Sequence, residues 1–443
     1  MNGGIEAMKI SLIAAIIFLI GSAQSATMKV NPNDTIQEAI DSAQEGDLIE
    51  VQSGTYYENI DVSKRIDLKG IGNPIVDSGK KGNGITLSAN GIVLEGFTIV
   101  NARENGIKVL SNNNTIKANI VSGNLLCGIE LYNSNNNTLS NNLAKNNQFG
   151  IGLRNSLNNQ LVGNIVNNNN DSGIILFESS NNLLSDNIVR ENKDPKRSED
   201  QPGHTVTYGI FIDNSMNNYI KENKVEDNNV GISIRTYEPK STSAGSINNN
   251  ISLNTIKNNE YGIMLSDCDH NKIYKNIIIN SMWSGLHLSE ANYNEIFKNN
   301  VTRNLKVGIV IEGSNNAIHN NIMDYNGDDG LVVYDINNTI IGNELNHNGK
   351  SGISLGDDSR MNIIERNSVT FNMQFGIVTD LKSKDNTLNN NYLQNNGLEW
   401  RGSPNLDNEF ANSCDVTGAN WWDGIPKRVC TLKTPNLYTN SGK

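Results

Sequence analysis

The sequence predicts an all-β protein: a right-handed parallel β-helix solenoid with coils of about 22 residues and a short N-terminal capping helix. Three observations lead there. A Gly-Ile or Gly-Leu step recurs from Gly84 to Gly376, mostly at spacings of 22 or 23 residues. Two columns of asparagine, Asn114 to Asn386 and Asn119 to Asn391, keep phase with it through twelve coils. Apolar residues alternate one and three positions after each glycine, as in Ile151 and Leu153, which is the period of a strand with one face inward. A fixed period of this length means stacked coils around one axis, so 443 residues need not divide into several domains.

The elements follow in order. Lys9 to Gly21 read KISLIAAIIFLIG, and small residues follow as far as Ala26. A positive charge, a short apolar run and small residues define a secretory signal peptide over residues 1–25. The apolar run is short for a membrane span of ~20 residues. The mature chain is therefore expected outside the cytoplasm, secreted or at the cell surface, with no stable membrane span after signal cleavage.

The β-helix is expected over residues 26–400. Thr35 to Ala43 (TIQEAIDSA) form an amphipathic capping helix, with Asp34 as its N-cap. Irregular first coils occupy 45–83 and regular coils 84–396. Each coil holds three short strands and three turns, wound right-handed as parallel crossovers prefer. The 79 asparagines hold fixed positions, which low-complexity disorder would not require. Asparagine tolerates left-handed backbone angles, so it bends the chain, and its amide can bond along the axis as a ladder. Residues 401–443, with Trp421, Trp422, Cys414 and Cys430, form a C-terminal capping tail. Export would permit a disulfide between those two cysteines.

Composition narrows the partners. A net charge of −11 without any basic run excludes a broad nucleic-acid surface. No Cys-x-x-Cys pair or Cys/His cluster marks a zinc or copper site. No cofactor is required. Asp267 and Asp269 could hold Ca2+ in a turn, on only two carboxylates. Oligomeric state leaves no trace in the pattern.

The stretch TIQEAIDSAQEGDLIEVQSGTYYENIDVSKRIDLKGIG, followed by GITLSANGIVLEGFTI, resembles the NosD-like right-handed β-helix family, with its carbohydrate-binding and sugar-hydrolase type repeats. The resemblance covers roughly residues 30 to 396. It implies the fold and a cell-surface or polysaccharide-related role. It selects no reaction, since the family holds surface proteins, lyases, hydrolases, epimerases and a protein of copper-enzyme maturation.

Chemistry must lie on outward positions or loops, because the inward face is core. Counting two and four residues after each glycine places Glu130, Tyr132, Arg154, Phe177, Phe211, Asp213 and Arg235 on one face. Aromatic faces to stack on and charges to bond hydroxyls or uronates suit a sugar. Glu130, Tyr132, Arg154, Phe177 and Phe211 are the substrate-binding candidates. Two insertions, within Glu191 to Thr207 and Thr236 to Ser246, flank this face and would wall a groove. His204, Tyr237 and Glu238 would stand on the walls.

The expected function is binding of an extracellular polysaccharide, with cleavage or modification left open. In an enzyme, Asp213 and Glu238 would be the carboxylate pair of a glycoside hydrolase. In a lyase acting on a uronate, Arg235 or Tyr237 would act at the proton and Arg154 would bind the carboxylate, with His204 as another possible base. The alternative is a non-catalytic structural or adhesive surface protein. The pairs Asp328-Asp329 and Asp357-Asp358 read as turn residues, lacking the companion motifs of pectin-cleaving hydrolases.

Overall fold

The computed structural model describes residues 25–194, 206–237, 245–380, 383, 385–401, 412–414 and 430–432. Residues 1–24 of the expected signal peptide, His204, Glu238, Trp421 and Trp422 lie outside them, and so do the side chains of Cys414 and Cys430.

The chain is a parallel β-helix whose coils stack three sheets. The Gly-Ile sheet has 15 strands, from Ile60–Val62 to Leu398–Arg401. The sheet that follows the first asparagine column has 16, from Thr27–Val30 to Thr387–Asn389. The sheet that follows the second column has 11 strands and then 5, joined through a bridge at Ile322. Every pairing is parallel, as in Gly152 opposite Ile175 and Ile175 opposite Phe211. The last sheet reaches beyond residue 400: Tyr392–Gln394 pairs with Asn412–Cys414, which pairs with Cys430–Leu432. The tail thus extends the ladder. Among the described residues no helix is long and apolar enough to cross a membrane.

One apolar column per inward position fills the core. Ile151, Leu153, Leu161 and Val166 of a single coil are all completely buried. Each such side chain contributes about 1.5–3 kcal/mol on burial. The capping helix runs Ile36–Ser42 and presses Ile36 and Ile40 onto the first coils. Its N-terminus departs from expectation. Thr35 holds the N-cap position without a side-chain bond, and Asp34 accepts from Asn31 instead. Glu58, one coil later, accepts from the Ile36 and Gln37 amides at 2.9 and 3.0 Å. A carboxylate from the neighbouring coil thus satisfies two free helix donors.

The asparagine ladders number three. A third column runs from Asn124 to Asn396, five residues after the second, with Ser281 its one substitution. In each ladder one Oδ1 accepts both the backbone N–H and the Nδ2 of the asparagine one coil earlier, as Asn187 does for Asn164 at 2.9 and 3.0 Å. The other Nδ2 hydrogen bonds a carbonyl of the preceding coil, as from Asn187 to Leu161. Amides buried this fully are tolerated only because all their groups are paired.

The ladder asparagines are not the left-handed residues. Left-handed φ falls on the residue before each: Asn136, Asn141 and Asn146 in one coil, Lys275 and Phe371 elsewhere. That exposed corner accepts varied residues, while the ladder position demands an amide.

The third ladder also explains the repeated glycine. A Cβ on Gly173 would sit 2.5 Å from Val189 Cγ1, 2.6 Å from the Gly209 carbonyl oxygen and 2.9 Å from Asn192 Nδ2. Its φ is not in the left-handed region. The glycine is needed for space at a corner where a ladder amide and the next coil's backbone converge.

Candidate functional site

The Gly-Ile sheet carries the expected residues in register. Tyr132, Arg154, Phe177, Asp213 and Arg235 occupy one row on successive coils. Gly152, Ile175, Phe211 and Ser233 form the row beside it. A groove of about 460 Å3 opens here. Arg154, Phe177, Phe211 and Arg235 line it as expected. Ile175, an outward position two residues after its glycine, lines it too, as do Phe149, Asp171, Ser172, Val206 and Tyr208, which the sequence did not mark as site residues.

The reason is geometric. Phe149 and Tyr208 immediately precede a glycine of the repeat, where the chain turns the corner. Alternation counted forward from the glycine cannot reach across that bend. In the structure the strand begins one residue before the glycine, in Phe149–Arg154 and Tyr208–Asp213, and so brings both rings to the groove.

Aromatic rings give the groove its apolar surface. Tyr208 and Phe211 stack with centroids 4.4 Å apart at 12°. Burial pushes the Tyr208 hydroxyl's pKa up, against a smaller opposing pull from Arg235. Arg235 lies against two rings, its guanidinium carbon 5.0 Å from the Phe211 centroid and 5.2 Å from that of Tyr237. A guanidinium held on ring faces still presents its edges to anions, and one of them meets Asp213.

The carboxylates differ in availability. Asp213 and Arg235 reach each other as expected, Oδ2 to Nη2 at 3.3 Å. Asp213 is nevertheless buried, at 3% exposure, and its Oδ1 accepts the Tyr237 backbone N–H at 3.1 Å. Asp213 therefore positions Arg235 and the start of the second insertion rather than facing the groove. Glu130, expected to meet substrate, is 8% exposed. Lys108 Nζ and Arg154 Nε hold it at 2.5 and 3.1 Å. It fixes Arg154 from beneath. Tyr132 stays exposed beside the groove, with Lys108 Nζ 4.8 Å from its ring centroid.

Asp171 is the one carboxyl among the described lining residues. Burial raises its pKa and nearby Asp194 adds to the rise, while hydrogen bonds from Ser172 and Gln148 pull the other way. Ser172 Oγ donates to Oδ1 at 2.7 Å. A carboxyl held above its usual range suits proton donation.

Two of the other acidic candidates bond to neighbouring coils. Asp269 Oδ1 accepts from the Asn292 backbone N–H at 2.9 Å. Asp328 pairs with Lys306 and Lys350 in neighbouring coils. Among the described residues no three of His, Cys, Asp or Glu come together to hold a metal ion. Cys127 and Cys268 are buried singly, and burial pushes the Cys127 thiol up to about 12.

A coiled stack of parallel strands with a groove on its Gly-Ile face is a β-helix with one elaborated surface. The chain matches a right-handed β-helix region model over residues 83–247, and the model described as periplasmic copper-binding protein (NosD) over 194–326 and 310–425. The latter spans cover more than half of the chain, which belongs to this NosD-like right-handed β-helix family. The family's description refers to copper, but the described residues offer no matching donor set.

A cell surface glycoprotein of Methanothermus fervidus is 37% identical over 124 residues, covering 25% of this chain and 21% of that protein. The chain thus spans about a fifth of that relative's length. Solved structures similar to it include a mutant of the periplasmic alginate epimerase AlgG, at 14% identity and TM-score 0.46, covering 75% of this chain and 82% of that one. The Azotobacter vinelandii mannuronan C-5 epimerase AlgE6 A-module is 14% identical at TM-score 0.43, covering 85% and 94%. Pectate lyase Pel9A is 15% identical at TM-score 0.41, covering 66% and 78%.

Proposed function

We propose that the chain acts outside the cytoplasm, secreted or at the cell surface, and binds an acidic polysaccharide in the groove of its Gly-Ile face. The observation that carries this reading is the pairing of stacked rings with two cations. Phe177, Phe211 and Tyr208 offer ring faces to sugar faces, and Arg154 and Arg235 offer guanidinium edges to carboxylates. The surface-glycoprotein relative supports the location. A glycan array tests the reading. Binding should concentrate on uronate-containing polymers, and Phe211→Ala should weaken it about tenfold or more, as loss of a central aromatic anchor does. Binding to proteins alone, and to no glycan, would establish the structural or adhesive alternative.

Asp171 favours a second reading, in which the bound polymer is also cleaved. Burial raises its carboxyl's pKa, so it keeps its proton to a higher pH than an exposed aspartate does. As pH rises through the folded-state value the proton is lost, and with it the general acid. Asp171→Asn should therefore abolish the release of reducing ends while binding persists. Unchanged release in that variant would remove Asp171 from any catalytic role.

A further inference from the structure

The rows that build the groove do not stop at its end. The row of Tyr208 continues through Val230 to Tyr261, and the row of Phe211 through Ser233 and Met264 to His287. At that far end the rings of Tyr261 and Trp283 are stacked, with centroids 6.5 Å apart at 19°. His287 lies 6.3 Å from Tyr261, tilted by 47°. Trp283 is 47% exposed, an unusual state for so large an apolar ring. His287 Nε2 stands 3.3 Å from Glu312 Oε2, which adds hydrogen-bonding edges beside the rings. Ser233 and Met264 lie between the two aromatic clusters in the row that joins them, so no bulky aromatic side chain interrupts it.

We propose that Tyr261, Trp283 and His287 form a second saccharide-stacking subsite, so that the chain takes a polymer lying along the solenoid axis rather than an isolated sugar. The inference rests on the groove reading above. Phe211 and His287 are three coils apart, ~14 Å at ~4.8 Å per rung. One polymer crossing both sites gains from the second contact as an intramolecular event, without a second loss of translational freedom. Between the two platforms the row carries Ser233 and Met264, which leave a flexible chain room to pass from one set of rings to the other.

The test uses the mature chain with oligogalacturonides of increasing length, and cello-oligosaccharides as neutral controls, by titration calorimetry. Affinity for the oligogalacturonides should rise by about tenfold or more once the chain is long enough to reach Trp283 from the groove. Trp283→Ala should remove that gain. Its exposed position outside the core lets thermal unfolding verify the fold. Short oligomers that bind with no gain on lengthening would overturn the second subsite and leave the groove reading standing. A gain that survives in Trp283→Ala would overturn it as well. Failure of short and long oligomers alike would overturn both. The length dependence therefore reads the second subsite, and short-oligomer binding reads the groove.

Discussion

Gly173→Ala is expected to destabilise the solenoid by at least about 3 kcal/mol, at the upper end of overpacking costs. One methyl group would do this. It would stand 2.6 Å from the carbonyl oxygen of Gly209 and 2.5 Å from Val189 Cγ1. The first of these neighbours is backbone held in a ladder, with the Gly173 N–H donating to Tyr208 O at 2.9 Å. It cannot retreat without loosening the next coil. The third neighbour, Asn192 Nδ2, is committed to Val166 O and Asn228 Oδ1, both at 3.1 Å. Because a solenoid's stability is a sum of coil and interface terms, the damage should show as a new early step in denaturant unfolding. A single transition at the wild-type midpoint would mean that the corner has slack the geometry does not show.

Asn187→Ala should cost about 3–5 kcal/mol, since each buried polar group left unpaired costs ~1–3 kcal/mol. The side chain makes four hydrogen bonds, and three of them satisfy groups that alanine would leave without this partner. Its Oδ1 accepts the backbone N–H and the Nδ2 of Asn164, and its Nδ2 donates to Leu161 O at 2.9 Å. Alanine orphans all three, and Asn187 is fully buried, so water has no ready access to them. Asn187→Asp is the informative companion. It keeps the acceptor for Asn164, yet an ionised carboxylate there would face Asn223 Oδ1, an acceptor, where Nδ2 now donates at 2.9 Å. The aspartate should be kept protonated by this environment, so its pKa in the fold lies above the unfolded value. Its stability should then be highest at low pH and fall as pH rises through the folded-state value. Equal stability of Asn187→Ala and wild type in urea would rule out the ladder as a source of stability.

The glycine step was legible from the apolar residues that follow it at fixed distances, and two of the asparagine columns from their constant spacing of five. The third column was overlooked although it keeps a constant spacing of five from the second. It immediately precedes the corner where coil length varies, so its distance to the next glycine changes from coil to coil. Which residue carries the left-handed turn was not legible at all. That position holds asparagine in some coils and residues as varied as Ala118, Leu253 or Phe371 in others, because it faces solvent and the ladder amide behind it enforces the bend.

At the candidate site, Arg154, Phe177, Phe211 and Arg235 were readable from alternation alone. Whether a carboxylate is free was not. Glu130 and Asp213 sit at outward positions, and partners one coil away decide their burial, Lys108 and Arg154 for the first and Arg235 for the second. Those partners lie 22 to 24 residues distant in sequence. Asp171 was missed because it lies in a corner, outside the strand that the repeat defines.

The most direct test of the groove is a crystal structure of the mature chain with an oligogalacturonide bound. Sugar rings should lie against Phe177 and Phe211, with carboxylates at Arg154 and Arg235. A saccharide seated on either of the two asparagine-flanked sheets, with the Gly-Ile face empty, would contradict it.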